Sequence, residues 1–66
     1  MDGLKPQVLA DMIASLLTSQ EAYEKFDELE YVTTWSYEER GILAPDGGIV
    51  VRVGDREFEL TVVRSK

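Results

Sequence analysis

The chain has neither cysteine nor histidine among its 66 residues. That double absence excludes disulfides, thiolate zinc sites, imidazole metal ligands and any serine nucleophile activated by histidine. The loss of staples matters at this length. A chain of about 60 residues buries only about 60% of the surface its unfolded form exposes, and small domains usually compensate with disulfides, metal or association. Unusually good packing or a second copy is what remains, so a homodimer is one expectation.

Long apolar runs are also missing. Asp11 and Ser15 interrupt the most apolar stretch, far short of the roughly 18 residues a membrane span needs. Met1-Asp2-Gly3 carries no basic leader region. A soluble, cytoplasmic protein with no membrane partner is expected. With only two prolines, no linker, no repeat and no low-complexity tract, residues 1–66 read as one domain.

Basic charge is scarce and unevenly placed. Residues 1–39 hold nine acids against Lys5 and Lys25, a local charge of −7. Residues 40–66 hold four acids against five bases, leaving +1 of the overall −6. A phosphate backbone is repelled by the first part and weakly held by the second, so direct nucleic-acid binding is not expected.

What is present is a hairpin. Ile49–Val53 and Arg56–Leu60 flank Gly54-Asp55, a pair suited to a two-residue type II′ turn. That turn opposes Val53 to Arg56, Arg52 to Glu57, Val51 to Phe58, Val50 to Glu59 and Ile49 to Leu60. Alternation then gathers Ile49, Val51, Val53, Phe58, Leu60 and Val62 on one face. Val50, Arg52, Glu57, Glu59, Thr61 and Val63 fall on the other, where Arg52 is within reach of both acids.

Upstream, Pro6 suits a first helical turn, and Leu9, Met12, Ile13, Leu16 and Leu17 recur at helical spacing, with Asp11 and Ser15 on the wet side. A helix over 6–17 follows. Thr18 and Glu21 match a capping box, which predicts a second helix over about 19–30 with Ala22, Tyr23, Phe26 and Leu29 turned inward. One continuous helix is the alternative. Tyr31–Trp35 prefers extended backbone. Ser36 and Glu39 repeat the capping-box spacing, with Gly41 placed to close a single turn. Ile42–Ala44 is a candidate third strand before a turn at Pro45-Asp46-Gly47-Gly48. The sum is an α+β domain, two N-terminal helices packed on a small antiparallel sheet dominated by the C-terminal hairpin. In element order alone this is similar to winged-helix proteins. The segment in the recognition-helix place, Tyr37–Arg40, is one turn long and acidic, so no DNA-reading residues carry over.

Chemistry is hard to find. The paired acids Asp27-Glu28, Glu38-Glu39 and Glu57/Glu59 lack room for the pocket that drives two carboxyl pKa values apart. The Pro45–Gly48 segment lacks the lysine and helix start of a phosphate loop. No metal, cofactor or catalytic residue is expected, and the protein reads as a non-enzyme. Tyr31, Trp35 and Tyr37 have the large area and polar tips that interfaces favour; with Val50 and Val63 of the outer sheet face they form the expected partner-binding surface, although the plain reading of the single Trp35 is core, and Tyr31 and Tyr37 fit either role. Glu21, Glu24, Asp27, Glu28 and Glu30 form an acidic surface. Its plain reading is a solvated face; its functional reading is imitation of a nucleic-acid backbone toward a basic partner. The leading expectation is a protein-binding adaptor, regulatory or assembly module.

Overall fold

The computed structural model describes residues 4–43 and 46–66. It is an α+β fold in the order α1 (Pro6–Leu17), α2 (Gln20–Lys25), a 3₁₀ turn (Asp27–Tyr31), β1 (Val32–Ser36), β2 (Gly47–Val53) and β3 (Arg56–Val62). The strands form one antiparallel sheet in the order β1-β2-β3.

The first helix starts where Pro6 places it. It ends because two hydroxyls take over its last carbonyls. Thr18 Oγ1 donates to Ala14 O at 3.0 Å, and Ser19 Oγ donates to Leu16 O at 2.7 Å. Ser19 then accepts from the Ala22 N–H at 3.2 Å while its own backbone is extended. One hydroxyl thus closes α1 and caps α2, and the continuous-helix alternative is excluded. The cap lies one residue later than the Thr18–Glu21 box implies.

The second helix is also shorter than expected. Phe26 leaves it at φ −134°, and Asp27, Glu28 and Glu30 sit in the 3₁₀ turn instead. Extending α2 would have placed those acids at the negative end of its dipole; in the new turn they occupy the first positions. Tyr23 and Phe26, expected inward, are exposed, while Ala22 and Leu29 are half-buried.

The hairpin has the register its turn dictates, from Val53↔Arg56 to Ile49↔Leu60, and runs on to Gly47↔Val62. Gly54 has φ 62° and Asp55 has a negative φ, as a type II′ turn requires. The third strand is the Tyr31–Trp35 segment shifted by one residue. It pairs Val32↔Val53 through Ser36↔Ile49 along the other side of β2. That edge was the one offered to Ile42–Ala44. Ile42 and Leu43 are not in a strand, and Ala44 and Pro45 lie outside the described residues. Gly47 and Gly48, read as turn residues, are the first two residues of β2.

One helix covers one face of the sheet. Ala10, Ile49 and Val51 are the buried centre, with Ile13, Ala14, Leu17, Val32, Val53 and Val62 packed around them. The contact stripe of α1 is therefore 10-13-14-17. Its small alanines let the helix axis come close to the strands, and the larger Leu9, Met12 and Leu16 are displaced to the flank. Gln7 pins the entry end: its side-chain amide donates to Gly48 O and accepts from Gly48 N, both at 3.0 Å. Nothing in the sequence marked that clamp.

Candidate functional site

Consider first the surface expected from the aromatics. Trp35 lies on the sheet face away from α1, in register with Val50. The chain then turns back across that face through a reciprocated capping box. The Ser36 N–H donates to Glu39 Oε1 at 2.9 Å and the Glu39 N–H donates to Ser36 Oγ at 3.1 Å. Gly41, at φ 70°, closes the turn as its sequence position implies. Tyr37 is thereby laid over β2 and β3, where its hydroxyl and that of Thr61 are 2.7 Å apart and its ring abuts Gly48. Arg40 spans the rest. Its guanidinium stands 4.8 Å from the Trp35 ring centroid and pairs with Glu57 at 3.0 Å.

The outer face is consequently a second, small core under a strap. Tyr37 is 4% exposed and Val50 only 2%. Both were expected at a partner surface, and neither has area left to offer. Trp35 is half-buried beneath Arg40. Tyr31 and Val63 are exposed, but they lie at opposite ends of the sheet: Tyr31 O accepts from Gly54 N at the hairpin turn, and Val63 follows the far end of β3. The structure does not bring the five residues together. The expected Arg52 charge group is re-partnered too. Arg52 Nε donates to Gly54 O, and Glu57 goes to Arg40.

The strap has a titratable element. Hydrogen bonding from the Ser36 backbone, then from its side chain, holds the Glu39 carboxyl below its ordinary value. A carboxyl depressed in the folded state stabilises above its unfolded pKa and loses that contribution as pH falls through the folded value. The stability difference between wild type and Glu39→Gln, measured by urea unfolding, is therefore expected to be full at neutral pH. It should close once the pH drops below the ordinary glutamate range of about 4.3.

The open surface lies elsewhere. Phe58 and Leu60 project from β3 on the α1 side, yet are 52% and 38% exposed. Leu9, Met12 and Leu16, on the flank of α1, are 36%, 53% and 68% exposed. Leu9 shares a concavity with Val62 and Val63, which places this flank over β3 rather than β1. The helix is centred on β2 and touches β1 and β3 alike, yet Phe58 and Leu60 of β3 stay open. The open apolar side chains of β3 (Phe58, Leu60) and of the α1 flank (Leu9, Met12, Leu16) define the α1/β3 wedge. Sequence periodicity signalled these residues as apolar but assigned them to the core.

The wedge has a charge gradient. Lys5, Arg64 and Lys66 surround the concavity at the α1 N-terminal end. Glu21, Glu24 and Lys25 share a hollow with Leu16 at the other, two acids against one base. Beyond it, Asp27, Glu28 and Glu30 are exposed like Glu21 and Glu24, and Gln20 Nε2 donates to Glu24 Oε1 at 3.3 Å. Among the described residues no group of three or more acids is placed to hold a metal, and no helix is long and apolar enough to cross a membrane. No protein-family model, no curated protein and no solved structure matches the chain.

Proposed function

We propose that this chain is a non-enzymatic protein-binding module that docks its partner on the α1/β3 wedge. The observation that carries the reading is the exposure of five large apolar side chains, Phe58 and Leu60 on β3 and Leu9, Met12 and Leu16 on the α1 flank. Beside them β3 is seven residues long, contains no proline and pairs with β2 without a bulge. Its outer edge presents free backbone donors and acceptors.

The second reading, an acidic inhibitor of a basic nucleic-acid-binding protein, draws on the exposure of Glu21, Glu24, Asp27, Glu28 and Glu30. Salt separates the two. A protein captured from the source cells, purified and titrated against this chain, is expected to bind about tenfold more weakly to Leu16→Glu and to keep its affinity for Asp27→Lys/Glu28→Lys, whose acids lie outside the wedge. Its affinity should fall only modestly between low and high salt, since charge lines only the rim. The opposite pattern, steep salt dependence with loss in the lysine double variant, transfers the function to the acidic surface.

A further inference from the structure

We infer that the occupant of the wedge is a second copy of this chain, joined through antiparallel pairing of the two β3 edges about a two-fold axis at Leu60. This rests on the reading of the wedge as a docking face and names what covers it. Three observations converge on a self-complementary partner.

The first is the edge itself. Antiparallel pairing of β3 with its own copy continues the sheet to six strands, and opposed residues share a face only in registers that keep the alternation. The second is charge along β3. A two-fold axis at Phe58 sets Glu57 opposite Glu59 twice, and an axis at Glu59 sets that carboxylate against its own copy; both are unfavourable. An axis at Leu60 instead opposes Leu60 to Leu60, Phe58 to Val62, Glu59 to Thr61 and Glu57 to Val63; its one like-charge pair, Arg56 with Arg64, falls where Arg64 has already left the strand. Every apolar β3 member of the wedge then meets an apolar partner on the α1 side of the sheet. The third is the gradient. A two-fold axis reverses direction, so the Lys5, Arg64 and Lys66 end of one copy faces the Glu21 and Glu24 end of the other. A partner without this symmetry has no reason to match both ends. Phe58 and Leu60 are the apolar side chains this pairing covers first, and both are open in the single copy.

Absence of native cysteine makes the test clean. Directly opposed antiparallel residues have Cα atoms about 4.5–5.5 Å apart, within the disulfide range. Under mild oxidation, Leu60→Cys is expected to lock the full chain as a covalent dimer. Phe58→Cys, opposite Val62 of the partner subunit, and Thr33→Cys, on the exposed face of β1, are not. Sedimentation velocity is expected to show a dimer at ~100 µM for wild type, with dissociation strengthened about tenfold or more by Leu16→Glu. Leu16 is 68% exposed, so that variant keeps the fold, as circular dichroism will report. A wild-type monomer at ~100 µM, or a dimer locked faster through Phe58→Cys or Thr33→Cys than through Leu60→Cys, overturns the inference. The docking reading fails separately: a monomer whose purified partner still loses affinity to Leu16→Glu keeps the wedge and discards only the second copy.

Discussion

Gly48→Val is expected to abolish the cooperative unfolding transition of the chain, because this glycine is where two layers reach β2 at once. A Cβ built at Gly48 collides with the Leu60 carbonyl oxygen and with the Tyr37 ring, and the Tyr37 ring is itself buried against Thr61. The carbonyl belongs to the hairpin ladder and cannot retreat without breaking it. The ring cannot retreat without opening the strap over Val50. On the α1 side, Gly47 has the same problem with the helix: its Cβ would stand 2.5 Å from the Gln7 backbone nitrogen. Overpacking costs typically about 1–3 kcal/mol and more where backbone must move, against a total of about 3–10 kcal/mol for a chain of this length. Gly54→Ala is the control. Nothing lies within 4 Å of its Cβ, so only the positive φ is penalised, at about 1–2 kcal/mol. Thermal melts followed by circular dichroism should show a lowered midpoint for Gly54→Ala and no sigmoidal transition for Gly48→Val. A Gly48→Val protein that melts within a few degrees of wild type would mean that Tyr37 does not lie where it is placed here.

Ile49→Ala is expected to cost about 3 kcal/mol, within the range for truncating a buried isoleucine, while Leu60→Ala costs about 1 kcal/mol or less. The two residues are directly opposed on the same sheet face and are similar in volume, so sheet propensity alone would rank them close together. Their environments differ. Ile49 is 1% exposed under Ala10 of α1, and its removal leaves a cavity in the only layer where helix meets sheet. Leu60 is 38% exposed in the wedge, where water already reaches it. Urea denaturation at low protein concentration measures both, and equal losses would contradict the placement of α1. At concentrations where the dimer forms, Leu60→Ala should become the costlier of the two in protein-dependent stability, since association then contributes by mass action.

Much of the fold was legible in local pattern. The hairpin register needs only a two-residue turn and period-two alternation, and both are written in Ile49–Leu60. The bounds of α1 follow from Pro6 and the polar break at Thr18-Ser19, and the strap turn follows from Ser36, Glu39 and Gly41. The acidic end of α2 was misread because helical periodicity takes no account of three carboxylates meeting a negative helix terminus. Gly47-Gly48 was misread because a turn and a close approach of backbones demand the same residue. The candidate site was hidden for a different reason: an apolar stripe on a helix looks the same whether it is covered or not.

The sequence by itself determined an α+β chain without cysteine or histidine, the pairing within its hairpin, the start of α1 at Pro6 and the Ser36–Glu39 capping box. Those are properties of neighbours, set by dihedral preference, alternation and the hydrogen bonds of nearby side chains. Only the tertiary structure decided which side of α1 meets the sheet, that Tyr37 and Arg40 cover Val50, and that β3 is left with Leu9, Leu16, Phe58 and Leu60 in the open. Those depend on the close seating that Ala10, Ala14, Gly47 and Gly48 permit, and a single helix centred on β2 leaves part of β3 open.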